Sequence, residues 1–118
     1  MPEFRLIDVG EVRLRCAVEG TGPLVIMVHG FPESWYSWRH QIGPIAAAGF
    51  TACAIDVRGY GGSDKPHEVA AYTLQKIDGD LAGLAKALQP DAPAILIRSE
   101  STRLNSSHVV TSRMPSSA

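Results

Sequence analysis

Five consecutive apolar residues, Leu24-Val25-Ile26-Met27-Val28, end abruptly at His29-Gly30-Phe31-Pro32. An unbroken apolar run closed by turn residues marks a strand buried on both faces, as in parallel sheets sandwiched by helices. A Gly-aromatic-Pro turn directly after such a strand lies at the carboxyl end of the sheet, where open α/β folds bind their ligands. The junction therefore points toward acyl-transfer-type hydrolysis. It also raises the question of where the nucleophile lies.

The flanking segments fit the same architecture. Phe4 to Val9 and Glu11 to Val18 are β-rich and separated by Gly10. In the second, Val12, Leu14 and Cys16 alternate with Arg13 and Arg15, so a half-exposed hairpin at a sheet edge is predicted. Ser34 or Ser37 can cap a helix over 38–48, with Gly49 as its stop and Gly43-Pro44 as a break in its middle. Phe50 to Asp56 reads as a second buried strand, followed by the glycine-rich loop Arg58-Gly59-Tyr60-Gly61-Gly62-Ser63-Asp64-Lys65-Pro66. Thr73 then caps a helix whose Leu74, Ile77, Leu81, Leu84 and Leu88 share one face. Gly79 and Gly83, one turn apart within it, predict close packing against the sheet. Pro90 ends the helix, and a third buried strand runs from Ala94 to Ile97. A β-hairpin followed by βαβαβ gives an α/β fold with a mostly parallel sheet and helices on both faces.

Composition narrows the function classes. The chain has 118 residues, room for one domain, with 45% hydrophobic and 19% charged residues and a net charge of −1. No basic stripe is present, so nucleic acid is not expected as a partner. No apolar run approaches the roughly 20 residues needed to span a membrane, and Met1-Pro2-Glu3-Phe4-Arg5 lacks the layout of a secretory signal, so a cytoplasmic location is expected. Cys16 and Cys53 fall inside predicted strands and read as buried core thiols. The histidines His29, His40, His67 and His108 have no metal-ligand spacing, and no metal is expected. His40 and His67 read as surface residues.

A hydrolytic reaction of this type develops negative charge on an oxygen, which must meet preorganised donors. Gly30 permits a tight turn and Pro32 fixes it, leaving the Phe31 N–H as the candidate donor. The other reading of the same residues is a strand-ending turn with a buried aromatic. Trp35 and Trp38 are candidates to line a substrate pocket, or else to pack a helix onto the sheet. Arg58 and Asp64 are expected to order the glycine-rich loop through hydrogen bonds and charge pairing.

The string His29-Gly30-Phe31-Pro32-Glu33-Ser34-Trp35-Tyr36-Ser37-Trp38-Arg39 resembles the oxyanion segment of α/β-hydrolase-fold epoxide hydrolases. Asp56-Val57-Arg58-Gly59-Tyr60-Gly61-Gly62-Ser63-Asp64-Lys65-Pro66 resembles the loop after strand four in the same family. The resemblance covers roughly residues 3 to 97. Fluoroacetate-type and haloalkane dehalogenases share much of the second motif, while the Pro-Glu-Ser-Trp-Tyr-Ser-Trp continuation favours epoxide hydrolases. The resemblance implies a small-molecule substrate, no cofactor, and a two-step reaction. An Asp opens the epoxide to an alkyl-enzyme ester, and a His-activated water hydrolyses it while the oxyanion donors assist. It also implies that His29 shapes the turn rather than acting as the general base.

The family's nucleophile belongs in a Gly-His-Asp-Trp-Gly-like elbow after strand five. Here Arg98-Ser99-Glu100 follows, and neither Gly-x-Asp-x-Gly nor Gly-x-Ser-x-Gly occurs anywhere. Nucleophile, cap tyrosines, charge-relay acid and general base are all missing. From Arg98 to Ala118 the chain is Ser-rich and aperiodic, a composition that favours disorder. The stretch also resembles the conceptual translation of a sequencing-library adapter, with Val109-Val110 where a variable index would be read. The expected organisation is a partial α/β-hydrolase domain over 1–97 and a non-native or disordered tail over 98–118. The parent would convert epoxides to vicinal diols, with this fragment inactive by itself. The alternatives are a fragment of a dehalogenase or ester-cleaving relative, or a non-enzymatic half-domain that binds a partner through an open sheet edge.

Overall fold

The computed structural model describes residues 2–30, 33–67, 72–99 and 109–114. The described strands are β1 (Glu3–Asp8), β2 (Arg13–Glu19), β3 (Leu24–Val28), β4 (Thr51–Ile55), β5 (Ala94–Ser99) and β6 (Val109–Met114). They form one sheet in the order β1-β2-β4-β3-β5-β6. β3 runs parallel to both β4 and β5, and the strands on each flank pair antiparallel, so the sheet is mixed with a parallel centre.

Two helices cover the sheet from opposite sides: α1 (Arg39–Ala47), entered through a 3-10 turn at Trp35–Trp38, and α2 (Leu74–Leu88). The alternation within β3 shows the division. Leu24, Ile26 and Val28 belong to the core shared with Leu81, Leu84 and Ala85 of α2, whereas Val25 and Met27 belong to the core shared with Trp38 and Ile42. Both sets are buried, which is why β3 reads as continuously apolar. Each fully buried Leu or Ile contributes about 1.5–3 kcal/mol, so the α2 side, richer in such residues, carries the larger share of the core. Among the described residues no helix is long and apolar enough to cross a membrane.

The local signals act largely as read. The side chain of Thr73 accepts the Lys76 N–H at the start of α2. Ser34 accepts the Tyr36 N–H and caps only the 3-10 turn, whereas α1 itself, entered at Trp38, has no side-chain cap from Ser34 or Ser37. Gly49, at φ +98°, turns the chain after α1 in a conformation that disfavours a side chain. Cys16 and Cys53 are free thiols buried in the core, and the Cys16 hydrogen bond and burial both push the Cys53 thiol up from its ordinary pKa.

Several expectations need correction. α1 continues unbroken through Gly43-Pro44. Pro44 withholds one hydrogen bond from the His40 carbonyl, but His40 is exposed and water can serve that group. Leu74, assigned to the apolar face of α2, is 72% exposed at the first helical position. Gly79 and Gly83 are not equivalent. A Cβ on Gly83 would lie 2.5 Å from the Val9 carbonyl oxygen, whereas one on Gly79 would meet nothing within 4 Å. β5 continues past Ile97 to Ser99, and residues 109–114 form a strand antiparallel to it instead of an irregular tail. A backbone ladder needs no alternating side-chain pattern, only an open edge and a segment tolerant of extended backbone, which Val109, Val110 and Thr111 favour.

Candidate active site

The carboxyl ends of β3, β4 and β5 converge on a cavity of about 300 Å³. The chain moves from β3 to β4 on one side and returns to β5 on the other, so the loops diverge above β3 and leave a crevice there. Val28, His29, Gly30, Val57, Tyr60 and Ile77 are among its lining residues. Arg98 also reaches its rim and pairs with Asp78 at 2.6 Å.

His29 is buried and uses both ring nitrogens. The Val57 N–H donates to Nε2 at 2.9 Å, and since a backbone N–H can only donate, Nδ1 carries the ring proton and faces the Gly30 carbonyl at 2.8 Å. The imidazole is therefore neutral and its Tyr60 neighbour packs edge-on, with ring centroids 5.3 Å apart. Burial pushes its pKa below the usual histidine value, opposed by the Gly30 carbonyl and by Asp56 and Glu33. This side chain ties the end of β3 to the start of the loop after β4.

A turn closes immediately beyond it. The Glu33 N–H donates to the Gly30 carbonyl at 2.9 Å, and the Gly30 N–H reaches the Glu33 carboxylate at 3.3 Å. Phe31, the candidate oxyanion donor, and Pro32 fall between these anchors and lie outside the described residues.

The two tryptophans occupy different settings. Trp38 is 8% exposed and sits in the α1-side core with Val25, Met27 and Ile42. Its indole Nε1 has no hydrogen-bond partner among the described residues. Trp35 packs against the same core and meets Phe4 and Tyr36 edge-on, at 4.9 and 5.5 Å between ring centroids. Neither lines the cavity described above.

Arg58 and Asp64 both hold the glycine-rich loop by charge. Arg58, 1% exposed, grips Asp80 of α2 with two bonds, Nε to Oδ2 at 2.7 Å and Nη2 to Oδ1 at 2.6 Å. Such a bidentate pair is oriented as well as strong, and it raises the guanidinium pKa. Asp64 accepts the Arg13 N–H at 2.8 Å and pairs with its guanidinium, which holds the carboxyl below its usual range. His40 and His67 are exposed. No group of three or more His, Cys, Asp or Glu is placed to hold a metal among the described residues.

Sequence reasoning passed over Asp56. This carboxylate is 0% exposed and accepts three donors: the Trp35 N–H at 2.8 Å, the Gly62 N–H at 2.9 Å and Arg15 Nε at 3.0 Å. Ser63 completes the knot, since its hydroxyl donates to the Asp56 carbonyl at 2.6 Å and accepts the Arg15 N–H at 2.8 Å. Gly61, at φ +51°, approaches so closely that a Cβ there would fall inside the Asp56 carboxylate. The available signal was a carboxylate directly after a buried apolar strand, because a buried charge must be hydrogen-bonded or paired.

The family model for the alpha/beta hydrolase fold matches residues 23–99, from the loop before β3 to the end of β5. The chain belongs to this family. Within it, the hydrolase domain is 49% identical over 85 residues to Epoxide hydrolase A of Mycobacterium tuberculosis, covering 70% of this chain and 26% of that protein. It is 47% identical over 81 residues to Epoxide hydrolase 3 of Siraitia grosvenorii, covering 69% and 26%. Among solved structures it is similar to an epoxide hydrolase of Vigna radiata, with TM-score 0.80 and 37% identity over 84% of this chain and 32% of that one. An epoxide hydrolase from an endophytic Streptomyces gives TM-score 0.80 and 46% identity over 84% and 30%. The hydrolase domain thus spans about a quarter to a third of the length of these relatives.

Proposed function

We propose that this chain is the N-terminal part of an alpha/beta hydrolase that opens epoxides with water to vicinal diols through an aspartyl alkyl-enzyme ester. The observation that carries the reading is a register. Val28 of β3 pairs with Arg98 of β5, so the carboxyl end of β5 lies beside the His29-Gly30 turn. A carboxylate on an elbow at that position would attack substrate in the cavity, and the turn would present donors to the oxyanion formed when the ester is hydrolysed. Phe31 N–H is the donor we assign, with His29, Gly30 and Pro32 shaping the turn. For Trp35 and Trp38 the helix-packing reading is the better supported of the two, since both join the α1-side core. The similarity to epoxide hydrolases, and the Pro-Glu-Ser-Trp-Tyr-Ser-Trp string, support an epoxide over a haloalkane or carboxylic ester.

Hydrolase sequence extends, in this reading, to the end of β5. The family match stops at residue 99. The present chain, with no Gly-x-Asp-x-Gly elbow, is then inactive alone.

Joining residues 1–99 in frame to the remaining portion of Epoxide hydrolase A tests the proposal. The fusion should hydrolyse epoxides and accumulate a trappable ester when the general base is removed. A folded fusion that cleaves haloalkanes or esters but leaves epoxides untouched overturns it.

A further inference from the structure

We propose that Asp56 is a positioning residue for the oxyanion turn, an inference that rests on the reading of that turn given above. Two consecutive residues clamp the turn at its two ends. Val57 donates its N–H to the His29 ring at the near end, and Asp56 accepts the Trp35 N–H at the far end. The turn between them is closed internally by the Glu33 N–H on the Gly30 carbonyl. The described ends of the turn, at His29 and Trp35, are thus anchored on a two-point mount at the end of β4.

The mount is itself braced. The second oxygen of Asp56 is held by Gly62 and by Arg15, whose guanidinium also lies 5.3 Å from the centroid of the Phe4 ring. Phe4 in turn packs edge-on against Trp35. The carboxylate cannot shift without breaking contacts to Trp35, to Arg15 of β2 and to the glycine-rich loop together. A donor that must meet charge as it develops is effective only when it is already fixed in place, and this arrangement anchors both ends of the turn that would carry it.

Backbone chemistry allows the Asp56–Trp35 bond to be removed by itself. Trp35 is the first residue of its 3-10 turn, where proline is tolerated, and Ser34 is extended at φ −155° and ψ −176°, as a residue before proline must be. Trp35→Pro removes ring and N–H; Trp35→Ala removes the ring alone. Amide hydrogen exchange by NMR on the full chain compares them without any substrate, so its result is independent of whether the reaction is epoxide opening. The Glu33 amide should exchange about 10-fold faster or more in W35P than in W35A, with Cys53 and Leu84 amides alike in the two, as local opening requires. Equal exchange at Glu33 overturns the proposal.

Asp56→Asn gives a second, opposite pattern. The remaining carbonyl oxygen can still accept from Trp35 while the new NH2 confronts the Gly62 N–H, so Gly62 should lose protection and Glu33 keep it. Loss at Glu33 without loss at Gly62 overturns the assignment. In the active fusion, W35P should lower kcat about 10-fold relative to W35A with KM within about twofold, since a positioning defect acts on the transition state. An equal loss through KM overturns it as well.

Discussion

Alanine at two glycines of one helix should move stability in opposite directions. Gly79 and Gly83 both lie inside α2, and replacing an interior helical Gly with Ala yields about 0.5–1 kcal/mol of helix propensity at either position. At Gly79 the new methyl meets nothing within 4 Å, so the whole gain is kept. At Gly83 it would stand 2.5 Å from the Val9 carbonyl oxygen and 3.1 Å from the Val9 Cβ. The oxygen is backbone, and Val9 is further held by its N–H on the Val12 carbonyl at 3.0 Å, so it cannot swing aside as a flexible side chain could. Forced overpacking of this kind costs about 1–3 kcal/mol, which leaves a net loss of about 1–2 kcal/mol for Gly83→Ala. Urea titration of the full chain measures both variants. With a slope of about 1–2 kcal/mol per molar, the two midpoints should separate by about 1–2 M, on either side of the parent. Both midpoints on the same side of the parent would refute the reasoning, because propensity alone acts identically at the two sites.

Asp80→Ala should cost about 3–5 kcal/mol by stranding the buried Arg58 guanidinium, because Glu11, at 3.5 Å and well exposed, is too far out to replace the bidentate pair. The double variant Arg58→Met, Asp80→Leu should recover most of that loss in the same titration, and failure to recover it would show that packing rather than charge sets the cost. His29 gives a pH dependence: its folded pKa lies below the ordinary 6.5, so the unfolded chain binds the extra proton. Stability should be level above about pH 7 and fall as pH drops below 6.5, and His29→Gln should flatten that slope in thermal melts across the range. Pro44→Ala should raise the melting temperature, by about 1–3 kcal/mol of regained helix, since the missing bond to the His40 carbonyl becomes available.

The parts of the fold legible in the sequence are those in which side-chain chemistry repeats along the chain. β3 shows itself as an apolar run because both faces are covered, and α2 as a periodic stripe because one face is. What stayed hidden depends on contacts distant in sequence. Gly79 and Gly83 are the same residue type one turn apart, and only the position of Val9 separates them. Asp56 was illegible as a hub because two of its three donors are backbone N–H groups, at Trp35 and Gly62, which every residue but proline carries. The register of β5 on β3, which brings the end of one strand beside the turn of the other, has no local signature at all.

The pairing of β6 along β5 has a kinetic consequence. Six residues of β6 occupy the hydrogen-bonding edge of β5, register by register from Ala94 opposite Met114 to Ser99 opposite Val109. Backbone ladders discriminate poorly among sequences, so any other segment seeking that edge competes directly with this one. Entry then proceeds by strand exchange, in which the resident strand must peel away before the newcomer can zip. At high concentration of an added complementing fragment, the observed association rate should reach a plateau set by the departure of residues 109–114, whatever the identity of the fragment.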